Sequence, residues 1–527
     1  MKTLINLLFL FAFGSASSQV PVLLKDINPN GESIPYGFTE LNGKTIFQAL
    51  DSLHGMELWV SDGSTSGTQL LMDILPGPFS SNPINFKVWN GKLYFCAADS
   101  VHGRELWVTD GTTTGTHLVV DALPAPGYST APRDLTICNN KLYFLGWDGL
   151  YTSDGTAAGT IRIKNSYGDN LVECNGKLIF VGRDASSAEE PWISDGTTSG
   201  TFMLKDINPG VGNSSSPTFL TSFNGKVYFV ANDYIHGREP WVSDGTAAGT
   251  VLLKDIYSGI HDSGPIEFTA FKGRLYFNAI DSLHGAELWV TDGTTAGTTL
   301  FKDIYANGGG VRGADPTGLY VYNDKMYFNA DTLIYGNEPW VTDGTDSGTH
   351  LLKDIDNSFT GSDPWGFMGY NGKVYFVAGT RLWVTDGTRD STHFITAANA
   401  TVNNPLDKYN SDLTVCNGSL FFRANYTSQG SEPYIIRDFP NSIDNVQFGL
   451  PSLKLYPNPA CSWIDVESFS SRAETIYITD LLGQPVFTEM LIGGKMHIEC
   501  GLWSRGIYVW SVINDEGKGR NGKIVLE

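Results

Sequence analysis

Cysteine, histidine and positive charge are scarce in this chain. Its 527 residues hold six cysteines, nine histidines and 35 Lys plus Arg, against 56 Asp plus Glu, for a net charge of −21. So acidic a chain excludes a nucleic-acid partner, because phosphates call for a basic surface. It permits cation binding without requiring it. Six cysteines in a chain this long are no disulfide framework. Beyond the first residues no apolar run is long enough to span a bilayer. Through the repeated part of the chain no stretch shows the three-to-four-residue apolar spacing of an amphipathic helix. Also missing are a Gly-x-Ser-x-Gly elbow, a His-Glu-x-x-His pair, a phosphate loop and a Cys-x-x-Cys pair.

What the chain does contain is one phrase repeated. ELWVSDGSTSGT starts at Glu57, ELWVTDGTTTGT at Glu105, EPWISDGTTSGT at Glu190 and EPWVSDGTAAGT at Glu239. Further copies start at Glu287, Glu338 and Arg381, a worn copy at Gly149 and a remnant at Glu432. Repetition roughly every forty to fifty residues means one supersecondary unit stacked on copies of itself. Each unit reads as four short strands. An apolar alternation ends in an Asn-Gly-Lys type of turn, the strongest short-range hairpin signal. A second strand such as Lys226 to Phe229 follows, then the Glu-Leu-Trp-Val strand. After the Asp-Gly-Thr turn comes a fourth, such as Val251 to Ile256. Tandem four-stranded units rich in β-branched and aromatic residues predict an all-β fold, a β-propeller.

The first three strands occur nine times, and the last unit has no fourth strand of its own. Val22 to Ile27 carries the same text as Val251 to Ile256, so the N-terminal strand is expected to complete the last blade and remove both open edges. The expectation is a propeller of about nine blades over residues 20–440, with an eight-bladed ring and one irregular unit as the alternative. Residues 1–19 read as a secretory signal peptide: a basic start, an apolar core and small residues. Residues 441–452 form a polar linker. Strand-like runs separated by Gly and Pro turns over 453–527 predict a compact β-sandwich.

Two resemblances follow from these motifs. YPNPA at Tyr456, then SWIDVES, ITDLLGQPVF, LWSRGIYVWSV and a final Gly-Lys-Ile-Val run stand between Leu453 and Glu527. In that order they resemble the type A C-terminal sorting domain of the type IX secretion system of the Bacteroidota. The resemblance implies passage through the periplasm, recognition at the outer membrane by the type IX machinery, and release or attachment at the cell surface. The array from Val22 to Phe439 resembles the ELWxxDGT repeat family, which is defined by its text rather than by an activity.

Within the units, several residue types invite a functional reading. Asp62, Asp110, Asp154, Asp195, Asp244, Asp292, Asp343 and Asp386 precede Gly in the turn between third and fourth strands. Such an Asp can accept backbone N–H bonds and close the loop. Eight calcium sites are the alternative, but the phrase lacks the alternating acidic positions of a calcium loop, so no metal and no cofactor is expected. The once-per-unit tryptophans, Trp59 to Trp383, are read as packing rather than as a carbohydrate platform. His54, His102, His236 and His284 with the Glu of each phrase could ligate metal. The reading preferred is that His-Gly shapes a turn and Glu bonds backbone. The tripeptides at Asp51, Asp99, Asp281 and Asp331 resemble the Asp-Ser/Thr-aliphatic text glycosylated on oxygen in this bacterial group, a resemblance that makes Ser52, Ser100, Ser282 and Thr332 candidates for O-glycosylation. Cys138, Cys174 and Cys416 share one repeat position and are expected as buried thiols, while Cys461 and Cys500 are a candidate pair in the sorting domain.

With no catalytic constellation, the reading is a secreted or surface-attached, non-enzymatic binding protein with a glycan or protein ligand. A propeller hydrolase or lyase acting on extracellular glycans, its acid and base drawn from different blades, is one alternative. A purely structural surface component is another. The Asn-Gly-Lys and Asp-Gly-Thr loops share one end of the units and hardly vary. The loops joining the units differ at every joint, and recognition usually sits on variable loops of a rigid scaffold. Arg312, Asp315, Asp363 and Trp365 on those loops are therefore the expected ligand-binding residues.

Overall fold

The computed structural model describes residues 20–437 and 453–526, apart from 125–128, 185–186, 211, 307–311, 398–399, 403–404, 407–410, 428–429, 457–462, 480–484, 502, 504 and 515–518. The expected signal peptide and linker lie outside the described residues, as does Cys461 of the expected pair. The chain divides into two compact units, Pro21–Ile435 and one holding the C-terminal strands. Among the described residues there is no helix, hence none long and apolar enough to cross a membrane.

In the first unit, Asn-Gly text becomes tight turns. Asn42 and Gly43 have φ of 50° and 75°, and Asn224 and Gly225 have 48° and 71°. Positive φ at both central residues matches the twist of the flanking strands, which is why Asn and Gly recur there. Each turn joins the first two strands of a four-stranded antiparallel sheet. Eight such sheets follow in chain order, over 36–72, 84–120, 133–164, 167–203, 218–252, 266–302, 317–351 and 365–395, here called sheets 1 to 8. Sheet 9 takes Thr414–Cys416, Ser419–Ala424 and Glu432–Arg437 from the end of the unit and Val22–Leu23 from its beginning. There Val22 pairs with Ile435 and Leu23 with Tyr434. This all-β series of four-stranded sheets fits a propeller-like arrangement.

The core lies between sheets. Trp107 of sheet 2 packs on Leu41, Ile46 and Leu58 of sheet 1, and Trp241 of sheet 5 on Ile179 and Ile193 of sheet 4. Trp59 of sheet 1 packs on Leu24, Phe421 and Ile435 of sheet 9. Polar links accompany this packing. The Lys205 ammonium donates to the Thr250 carbonyl at 2.7 Å, and Lys25 donates to the Thr68 carbonyl at 2.6 Å. First strands of consecutive sheets lie side by side, and that of sheet 9 lies beside that of sheet 1.

The first strands carry a feature that hydropathy does not reveal. In sheets 1 to 8 their pairing with the second strand slips near the start, as between Tyr36 and Thr39 or Thr218 and Thr221. A left-handed residue occupies each slip, Gly37, Asn85, Asp134, Asn170, Phe219, Glu267, Gly318 and Gly366 among them. These are β-bulges, which bend a strand and re-aim a side chain.

The C-terminal unit is one hydrogen-bonded sheet of five described strands rather than two separate sheets. Its long central strand, Trp463–Thr479, pairs along one edge with Pro485–Glu499. Along the other edge it pairs first with Leu453–Tyr456 and then with Gly506–Asn514. A register shift between Ser468 and Ala473 separates its two halves. Ile464 and Val466 from one half share a single core with Ile476 and Ile478 from the other, together with Leu491, Tyr508, Val512 and Ile524.

Candidate functional site

Antiparallel order within each sheet puts the Asn-Gly-Lys and Asp-Gly-Thr turns at one end of the strands. The second-to-third-strand loops and the sheet-joining loops lie at the other. The two ends have different chemistry. At the turn end, Asn42 donates to the Gly91 carbonyl of the next sheet, Asn139 to Gly176 and Asn175 to Gly225, at 2.7–3.0 Å. The repeated Asp closes its own turn: Asp110 Oδ1 accepts the Thr112 N–H at 2.9 Å and the Thr112 hydroxyl at 2.6 Å. The Thr112 hydroxyl and the Thr112 N–H hold the Asp110 carboxyl below its usual range, against slight burial. The second Gly of the phrase sits under this carboxylate, and a Cβ on Gly115 would lie 2.1 Å from Asp110 Oδ1. Text and geometry meet at that glycine.

The Glu of each phrase reaches to the opposite end and is buried. Glu57 Oε2 accepts the Ile74 N–H (2.9 Å) and the Ser81 hydroxyl (2.6 Å), while Oε1 accepts the Ser81 N–H (2.8 Å). Glu190 does the same with Ile207 and Ser215, and Glu239 with Ile256 and Ser263. These carboxylates clamp both ends of the sheet-joining loop. Burial pushes Glu57 up to about 6 and Glu239, Glu287, Glu338 and Glu432 up to about 7, against the pull of the N–H and hydroxyl donors. The serine partner belongs to a Ser/Thr-x-Pro text (Ser81, Thr130, Ser215, Ser263, Ser362) that sequence reasoning passed over. Its recurrence before the first strands was the available signal.

Each histidine of the second-to-third-strand loops is tied to the Asp three residues before it. His54 Nδ1 lies 2.8 Å from Asp51 Oδ2, and the His102–Asp99, His236–Asp233 and His284–Asp281 pairs are 2.7 Å apart. Asp51 also accepts the Leu53 and His54 N–H groups. The Asp51 hydrogen bond raises the His54 ring above its usual value, against some desolvation. Burial pushes Asp51 up, but the bonds from His54 and Leu53 outweigh it and leave it lowered. Among the described residues no group of three or more His, Cys, Asp or Glu converges to hold a metal. Ser52, Ser100 and Ser282 are exposed at the tips of these loops; Thr332 is half-buried and its hydroxyl accepts the Tyr335 N–H at 3.1 Å.

Of the expected ligand residues, three share one electrostatic neighbourhood. Arg312 and Asp315 lie on the loop joining sheets 6 and 7, and Asp363 on the loop joining sheets 7 and 8. All three act on Asp331, whose carboxyl burial pushes up, with Arg312 pulling down and Asp363 and Asp315 pushing further up. Asp331 opens the tripeptide that marks Thr332 and is not among the expected ligand residues. Arg312 is exposed; Asp315 Oδ1 accepts the Asn278 amide at 2.6 Å and Asp363 Oδ1 the Asn337 amide at 3.0 Å. Both Asp residues are left-handed (φ 46° and 48°) immediately before a proline, as are Asn82 and Ala131 at the same repeat position. Trp365 opens the first strand of sheet 8, half-buried. The most exposed large apolar side chains, from Trp147 (61%) to Phe359 (84%), all stand on this loop end, Leu53, Phe79, Val101 and Ile260 included. Cys96, Cys138, Cys174 and Cys416 are buried and unbridged, and burial pushes the Cys96 thiol up to about 11 and Cys416 to about 12.

Residues 454–527 match the secretion system C-terminal sorting domain family. That match supports the type IX assignment of the C-terminal segment, and with it an encounter with the type IX machinery and export to the surface or beyond. No curated protein matches the chain significantly. Similar solved structures include one from a study of two prolyl endopeptidases, 11% identical over 68% of this chain and 55% of that one, with a TM-score of 0.37. A puromycin-hydrolysing peptidase of Mycobacterium tuberculosis is 11% identical over 68% and 61%, TM-score 0.35. The AfRom2 CNH domain is 11% identical over 68% and 94%, TM-score 0.33. The chain thus spans about half the length of the first of these, and likeness of this degree says nothing about activity.

Proposed function

We propose that this chain is an exported recognition protein: a closed nine-bladed propeller of the ELWxxDGT repeat type, delivered by a Bacteroidota type IX system after a signal peptide over residues 1–19. The ring is closed by Val22–Leu23, and its function is binding rather than catalysis. The observation that carries the reading is where the repeated polar residues spend their bonds. The Asp of each turn, the Glu of each phrase and the histidines with their Asp partners are engaged in holding loops and sheets. The variable loop end, with its exposed apolar tips and the charged group around Asp331, is left available for recognition. A glycan or protein ligand is assigned to Arg312, Asp315, Asp363 and Trp365, without metal or cofactor.

The test is capture by the intact cell surface or by purified protein on glycan and surface-protein arrays. The variant set is Arg312→Gln, Asp315→Asn, Asp363→Asn and Trp365→Phe, in which Asn keeps the left-handed backbone available. Loss of capture with unchanged melting is the expected result. Capture that survives these changes but fails after substitutions at the Asp-Gly-Thr end overturns the assignment.

A second reading, a glycan hydrolase, has one observation in its favour. Burial and a hydrogen bond to Asp169 push the Asp134 carboxyl up, the direction that suits a general acid. Release of reducing ends from polysaccharide, abolished in Asp134→Asn, is the result that would replace the binding reading.

A further inference from the structure

The first strands of sheets 4 to 7 enclose an open recess of about 470 Å³, lined among others by Asn170, Phe219, Thr221, Glu267, Thr269 and Leu319. It lies on the wall of first strands, apart from the loop-end group around Asp331. We propose that this recess binds a neutral carbohydrate, with the Phe219 ring as its stacking platform and Asn170, Glu267 and the two threonines as partners for sugar hydroxyls.

Three observations carry the assignment. Phe219 occupies the bulge position, where the other sheets place Gly, Asn or Asp in all but one case. Its φ of +55° is costly for a bulky side chain, and a residue kept in such a conformation marks functional sites. The exception is Glu267, the other non-glycine-like choice (φ +59°), in the adjacent sheet and lining the same recess. The strained backbone turns an aromatic ring outward, 44% exposed, in a wall where apolar neighbours such as Leu220 and Phe268 are buried. A ring face presented beside polar groups suits the C–H face of a sugar.

Charge selects among ligands. Glu267 lines the recess, and Asp134 and Asp169 accept the N–H of its Asn170, in a chain of net charge −21, which disfavours uronates, phosphates and other anions. These carboxylates are also already engaged by donors. Glu267 Oε2 accepts the Gly318 N–H (2.6 Å) and the Leu319 N–H (3.2 Å), and Asp134 Oδ2 accepts the Asn170 N–H (2.7 Å). A cation would compete with those bonds. Thr221 and Thr269 donate to the carbonyls of Phe219 and Glu267, so their oxygens face a ligand as acceptors, and the exposed Asn170 amide can both donate and accept. A polyol without charge meets each of these groups.

Calorimetry on the full chain tests this with cellotetraose, maltotetraose and mannotetraose, against tetragalacturonate and tetralysine. Phe219→Gly removes the ring and relieves the backbone, so its melting temperature should not fall, while Asn170→Gly removes the amide at the same φ. The expected result is binding of at least one neutral tetrasaccharide at millimolar concentration and none of tetragalacturonate, with a loss of about tenfold or more in Phe219→Gly. No neutral binding, preference for tetralysine, or affinity unchanged in Phe219→Gly overturns the proposal. Binding lost in the Arg312/Trp365 variant but kept in Phe219→Gly also overturns it and leaves the loop-end reading standing. The reverse pattern upholds the recess independently of that reading.

Discussion

Glu432 Oε2 accepts the N–H of Ile27 at 2.9 Å across 405 residues of sequence. The same bond, at the same length, joins Glu57 to Ile74 and Glu239 to Ile256 across 17 residues. Ser33 completes the clamp with its N–H and hydroxyl on the Glu432 carboxylate, as Ser81 does for Glu57. A bond that elsewhere ties a loop within consecutive sequence here ties the beginning of the repeat region to its end. Thr65 supports it by donating to the Leu24 carbonyl at 2.8 Å, the counterpart of Thr113 on Leu71.

Glu432→Ala should therefore cost far more than a surface substitution. It leaves the buried N–H groups of Ile27 and Ser33 and the Ser33 hydroxyl without their acceptor, for a loss of about 3 kcal/mol. Urea denaturation measures this directly. A change below about 0.5 kcal/mol, typical of exposed positions, would show that the clamp does not form.

The Asp-Gly-Thr turn predicts a non-additive pair. Gly115→Ala places a Cβ against Asp110 and should destabilise by about 2 kcal/mol. Asp110→Ala, which loses exposed bonds to Thr112, should cost about 1 kcal/mol. In the double variant the carboxylate that obstructs the methyl is gone, so the combined loss should fall short of the sum by about 1 kcal/mol. Strict additivity would mean the clash is relieved elsewhere.

Stability should have an acid optimum. The buried Glu residues have folded values raised from 4.5 to about 6 or 7, so their contribution is complete below about pH 4.5 and is lost as pH rises through 6 to 7. The raised histidines act in the same direction, losing their contribution as pH climbs above 6.5. Asp51, Asp99 and Asp110 are lowered from 3.8, and what they contribute disappears in stronger acid. Melting temperature should peak between about pH 4.5 and 6 and decline toward pH 8. A melting temperature that rises from pH 5 to pH 8 contradicts the burial of these carboxylates.

Much of this architecture was legible because its local signals agree. Asn-Gly pairs mark turns, alternation marks strands, and the copy of Val251 to Ile256 at Val22 to Ile27 pointed to the pairing with the last sheet. The bulges were not legible. A left-handed Phe219 contradicts its own backbone preference, and only the surrounding sheets impose it. Asp315 and Asp363 read as free recognition groups, yet each accepts an Asn amide and holds a left-handed turn before proline. The neighbourhood of Asp331 joins residues from three loops, a convergence that no spacing along the chain encodes.

Export should depend on the C-terminal segment. A chain ending at Ser452 should fold its repeat region and accumulate in the periplasm, because the match over 454–527 is to a sorting domain. Fractionation that finds this shortened chain outside the cell at full-length levels would contradict the sorting assignment.

The most direct test of the closed scaffold is the thermal unfolding of a chain that begins at Glu32. It lacks Val22–Leu23 and the Ile27 N–H, so the strand Glu432–Arg437 is left as an open edge. The closed-ring account predicts loss of the single cooperative transition, together with concentration-dependent aggregation. Full-length melting behaviour in that shortened chain would contradict it.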